Sequence, residues 1–93
     1  MSLLPLDGPA VQDSLTATGT YAEIKIGASP YDERKAVTLQ PLEGKLYVTF
    51  ETGKPGFLLF KYQIMTFEAS STQPLYFKTV SGSSEAVIVA ERA

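Results

Sequence analysis

Histidine and cysteine are both absent from this chain, so any chemistry must come from its ten carboxylates, eight lysines and arginines, five tyrosines and hydroxyl residues. Without histidine the usual general base at neutral pH is missing, as are the commonest metal ligand and every Ser–His or Cys–His pairing. Without cysteine there is no thiolate nucleophile, disulfide or thiol-ligated metal. A Ser–Lys pair is allowed by composition, but no Ser-x-x-Lys spacing occurs. Paired carboxylates can work as acid and base on a glycosidic bond. Here the acids fall on outward strand positions (Glu23, Glu51) or in turns (Asp32, Glu33, Glu43, Glu85), where solvation is their simplest role. Calcium needs several acids with Gly and Asn at close spacing. Asp32-Glu33 stands alone, and the chain has no asparagine. Neither Gly-x-Gly-x-x-Gly nor a phosphate loop occurs. The chain is therefore expected to be no enzyme, with no catalytic residues, no cofactor and no metal.

Tyrosines are the remaining candidates for binding. Tyr21, Tyr31, Tyr47, Tyr62 and Tyr76 could offer sugars a stacking platform, since a tyrosine ring has an apolar face and a polar tip. Tyr47 and Tyr76 lie within alternating segments, however, where sheet-face packing explains them as well. Tyr21 and Tyr31 are better placed for burial by a neighbouring protein, tyrosine being enriched at interfaces.

The elements that would position these residues read as strands. Residues 21–26 alternate, with Ala22, Ile24 and Ile26 on one face and Tyr21, Glu23 and Lys25 on the other. Residues 34–40, 45–51 and 85–91 alternate too, and 57–60 is an apolar run suited to a strand end or a covered edge. Met65 and Phe67 are expected to face inward from a short strand, and 75–80 forms another. Turn residues separate these segments at 27–33, 41–44, 52–56, 70–74 and 81–84. No window keeps a helical period between caps. The expected fold is all-β, a small β-sandwich of six or seven strands, jelly-roll or immunoglobulin-like. Val37, Leu39, Leu46, Val48, Phe50, Val87 and Val89 should be largely buried in its core.

Residues 1–20 hold no sustained period, being broken by Pro5, Gly8, Pro9 and Gly19. They are expected to form an extended N-terminal arm, with the sandwich over 21–93. Leu3, Leu4, Leu6, Val11 and Leu15 of the arm, with Tyr21 and Tyr31, are the expected interface residues. Deleting residues 2–18 should then leave the strand core folded and weaken assembly.

Ninety-three residues make one domain, and a chain of this size buries roughly 60–70% of its unfolded surface. Its stability margin is slim, and partner surfaces would add to it. Net charge is −2 with the charges scattered singly, so no basic stripe suggests nucleic acid. No run approaches the ~18 apolar residues of a membrane span. The start lacks the basic and apolar regions of a secretory signal.

Five segments in order carry a resemblance: Lys25-Ile26-Gly27-Ala28-Ser29, Glu33-Arg34-Lys35, Tyr47-Val48-Thr49-Phe50, Leu75-Tyr76-Phe77 and Val87-Ile88-Val89-Ala90-Glu91. Together they resemble a widespread group of small β-rich virion proteins of tailed bacteriophages. In that group a strand ends in Val-Gly-Thr/Ser, a loop carries Gly-Arg-Lys, and a hydrophobic strand ends in Gln-Asn. A Tyr-Val/Ile-Gly-Phe strand, a Gly-rich turn, a Leu-Tyr strand and a closing Val-Arg-Val-Xaa-Glu follow. The likeness spans about residues 21–93. Glu33 and Thr49 stand where the pattern has glycine, and Pro41 follows Gln40.

The resemblance implies a structural role in the virion, as a capsid decoration or minor capsid protein bound to the major capsid protein or another virion protein. It implies a homo-oligomer, with a trimer as the form considered, and no catalytic residues. Many identical copies would turn weak contacts into firm retention. A neck or tail accessory protein is the nearest alternative. A carbohydrate-binding module or adhesin tip is another, and it would need two or three coplanar exposed rings.

Overall fold

The computed structural model describes residues 10–93. Eight strands run through them: β1 (Ala10–Ala17), β2 (Ala22–Glu23), β3 (Ala36–Pro41), β4 (Leu46–Thr49), β5 (Phe57–Leu59), β6 (Met65–Glu68), β7 (Tyr76–Thr79) and β8 (Glu85–Arg92). No helix forms among the described residues. The strands make two four-stranded sheets, ordered β1-β8-β3-β6 and β2-β7-β4-β5. Every pairing is antiparallel.

Two-residue alternation builds the core. Val87 and Val89 of β8, Val37 and Leu39 of β3, Leu46 and Val48 of β4 and Phe77 of β7 meet between the sheets. Ile24, Leu59 and Leu75 complete the filling and are fully buried. Phe50, expected among them, sits at the rim. It is half-buried and meets the Phe67 ring edge-on at 6.2 Å.

In two segments the expected inward phase holds, with Ile26 packed against the core and Phe67 buried opposite Val37, but the expected burial is corrected. Over residues 21–26 only Ala22–Glu23 pairs as strand, Ala22 is exposed, and Ile24 is the one fully buried side chain. After Glu23 the chain leaves β7: the Ile24 amide still bonds to the Leu75 carbonyl, but the Ile26 amide donates to the Glu91 carboxylate. Met65, expected inward, is exposed. It lies opposite Leu39 on β6, which is an edge strand among the described residues, so nothing described covers the side chain.

From Ala10 onward, the stretch expected as an arm is part of the sandwich. β1 is extended, but it pairs along its whole length with β8, from Ala10 opposite Arg92 to Ala17 opposite Glu85. Ala17 is fully buried and Leu15 packs against the core. Residues 10–17 thus supply the strand beyond the expected six or seven, and removing 2–18 would strip the edge from a sheet. Asp13 hides this strand from pattern reading. It stands opposite Val89 at an inward position and is exposed only because β1 is an edge. A charge so placed also discourages a further strand from adding there.

Candidate functional site

Three places in the fold gather side chains that could act. The first is buried at one end of the sandwich, where Arg34 Nη1 lies 2.9 Å from Glu91 Oε2 with both side chains out of solvent. Arg34 Nη1 also donates to the Ile24 carbonyl, Nη2 to those of Ser70 and Gln73, and Nε to Ala69 and Ser70. A guanidinium has five N–H groups, and here each has an acceptor. Glu91 in turn accepts the amides of Ile26 and Tyr31. Fully paired and dry, the cluster clasps three chain segments to β8 and leaves no atom free for a substrate. The sequence signal for it was phase: Glu91 falls two residues after Val89, on β8's inward face.

The second place is a cleft of about 530 Å³ on the outer face of the β2-β7-β4-β5 sheet, lined by Tyr21, Tyr47, Lys78 and the turn at residues 53–56. Register creates it. Tyr47 is directly opposite Lys78, and Ala22 opposite Phe77 puts Tyr21 beside Lys78 on the other flank. The Lys78 ammonium therefore stands 4.7 Å from the Tyr21 ring centre and 5.8 Å from that of Tyr47. Gly53, at φ 99°, turns the chain back into β5. At Gly56 a Cβ would come within 2.8 Å of Tyr21 Oη and 3.0 Å of the Val48 carbonyl, so only glycine lets the turn close on the ring. Burial, and secondarily Tyr47, raises the Tyr21 hydroxyl above its ordinary pKa.

The third place is the open edge where β5 and β6 meet. Phe57 (58%), Phe60 (55%), Tyr62 (59%) and Ile64 (56%) are more than half exposed, with Leu58 and Met65 also open. The connecting loop is tied down: Tyr62 donates its amide to the Pro41 carbonyl, Gln63 to Phe60, and Gln40 Nε2 to the Tyr62 carbonyl. Tyr62 takes φ 67°, uncommon for a residue with a Cβ and held by those bonds. Lys45 and Lys61 stand over the Phe60 and Tyr62 rings at 5.5 and 5.0 Å. The run at 57–60 is an edge but an open one, not a covered one: Phe57, opposite inward Val48 and 5.9 Å from the Phe67 ring, sits exposed at the rim of the core, and Phe60 is exposed beyond it.

The expected interface residues fall in different places. Leu3, Leu4 and Leu6 lie outside the described residues. Val11 and Tyr31 come together, with Ile26 and Glu91, around a small hollow of about 240 Å³. Leu15 is spent on the core. Tyr21 belongs to the cleft on the other sheet, beside Tyr47, while Tyr62 is at the open edge. The acids are dispersed: Glu23 meets Lys25 at 3.8 Å, Glu43 accepts the Ala86 amide, and Glu85 the Ser81 hydroxyl. Among the described residues, no three His, Cys, Asp or Glu side chains gather as a metal site would require. No family model, curated protein or solved structure matches this chain.

Proposed function

We propose that this chain is a structural protein of a tailed-bacteriophage virion, a capsid decoration or minor capsid protein that self-associates and binds particle proteins through its apolar edge. The observation that carries the reading is the row at residues 57–65. Six large apolar side chains are left open there on a tethered loop and two edge strands. A monomer working alone gains nothing from such a row, whereas patches of this kind mark protein interfaces. Because the loop is already fixed by its hydrogen bonds, little ordering cost opposes docking.

The strand order supports the jelly-roll alternative over the immunoglobulin-like one. Successive strands switch sheets at every step except β4–β5, and β1 lies beside β8. An immunoglobulin-like sandwich instead keeps several consecutive strands in one sheet. Jelly rolls serve in viral capsids and in lectins, so such a fold is compatible with both classes and support for the reading comes from the surface. The carbohydrate-binding reading has one observation in its favour, the cleft at Tyr21, Tyr47 and Lys78. A neck or tail accessory position would use the same edge, and copy number separates it from decoration.

The test is quantitative mass spectrometry and electron cryomicroscopy of native particles, with wild type and a Phe60→Lys/Ile64→Lys variant. Many copies per head, with the 57–65 edge covered and the variant absent, is the expected result. A chain missing from the particle, or retained equally by the variant, overturns the proposal.

A further inference from the structure

We infer that the cleft formed by Tyr21, Tyr47, Lys78 and the 53–56 turn binds a carboxylated sugar, such as a hexuronate unit of an acidic polysaccharide. The inference builds on the carbohydrate-binding reading and is independent of the particle role, which an edge on another part of the surface supports. Two cations line this cleft, Lys54 from the turn and Lys78 from β7, and among the described residues no carboxylate does. Lys78 is held in place by the rings on either side. Its ammonium is thus a fixed point charge rather than a sweeping one.

The remaining lining is what a sugar ring needs. Tyr21 and Tyr47 supply apolar faces and hydroxyls, and Pro55 adds an apolar wall. Tyr21 keeps its proton well past neutrality and remains a donor. One carboxylate meeting Lys78, with ring hydroxyls on the phenols, would give the held cation and both tyrosines a partner, while Lys54 is exposed and stays solvated.

Competing anions fit less well. A bare phosphate favours a nest of free backbone N–H groups. Here Pro55 has none, and the Lys54 amide is already given to the Glu51 carbonyl. An acidic peptide gains most by adding to a sheet edge. The cleft instead crosses β7 and β4, whose backbones are paired on both sides.

The experiment is a titration of the isotope-labelled full chain with trigalacturonate at low salt, followed by amide chemical shifts. Neutral galactotriose, inorganic phosphate and hexaglutamate serve as the comparison probes. Saturable shifts confined to Tyr21, Tyr47, Lys78 and the 53–56 turn are expected with trigalacturonate. The neutral sugar should bind at least about tenfold more weakly, as should Lys78→Gln toward trigalacturonate, since each removes a charge-assisted hydrogen bond. Should Lys78→Gln disturb the fold, the comparison with galactotriose, which needs no variant, carries the same test. The inference fails if trigalacturonate causes no local shifts at millimolar concentration, or if galactotriose binds equally well. It fails equally if phosphate or hexaglutamate matches trigalacturonate at the same residues. None of these outcomes bears on whether the chain sits in a particle.

Discussion

Replacing Glu91 by alanine should be among the most damaging single changes in this protein. The substitution leaves the Arg34 charge buried without its counter-ion and takes the acceptor from the Ile26 and Tyr31 amides. Breaking a buried pair from one side costs about 3–5 kcal/mol. For 93 residues the whole stability should be roughly 5–14 kcal/mol, so the variant would lose at least about a fifth of it. On the scale of about 4–8 °C per kcal/mol for a domain of this size, the Tm falls by more than about 12 °C.

Arg34→Met should cost a similar amount, because it strands the Glu91 carboxylate and the carbonyls of Ile24, Ala69, Ser70 and Gln73. The double variant Arg34→Met/Glu91→Leu removes both charges. It should be less destabilised than the two singles added together, by about 2–3 kcal/mol of coupling. Urea unfolding followed by circular dichroism, extrapolated linearly to water, measures all three. Lys25→Ala supplies the comparison: its partner Glu23 is 3.8 Å away at the surface, and such exposed pairs contribute about 0–1 kcal/mol. Single substitutions at Arg34 and Glu91 no costlier than Lys25→Ala, or purely additive effects, would refute the reasoning.

Two further outcomes follow from the same geometry. Deleting residues 10–18 removes the strand paired along the whole of β8, so the product should lose the cooperative urea transition and bind a hydrophobic dye. A sharp, native-like transition would mean that β1 is dispensable. The second outcome concerns Tyr21, whose pKa is raised in the folded protein by burial and then by Tyr47. Its contribution is fully present below the unfolded value near 10.0. Above that pH the unfolded chain gives up the proton first, so stability falls as pH rises through the folded value. Tyr21→Phe should therefore show a shallower decline in urea midpoint on the alkaline side than wild type, and identical declines would count against it.

Much of the fold is legible in the residues themselves. The absence of histidine and cysteine narrows the chemistry at once, and alternation at Val37–Leu39, Leu46–Val48 and Val87–Val89 places most of the core. Those signals are local, because a strand's two faces are fixed by the pleat alone. What lies beside a strand is not local. Residues 10–17 were unreadable as a strand because Asp13 breaks the inward period, and only its position at the sheet edge makes that charge tolerable. Met65 and the rings of Phe57 and Phe60 look like core in composition; their exposure follows from β5 and β6 being the outermost strands. Arg34 and Glu91 are 57 positions apart, and only the folding of β8 against the loop before β3 closes a pair that can be buried. Tyr21, Lys78 and Tyr47 likewise become neighbours only through the register of β2, β7 and β4. The sequence determined which faces turn inward, while tertiary structure decided which side chains share a surface, because cross-strand neighbours are set by pairing between distant segments and not by spacing along the chain.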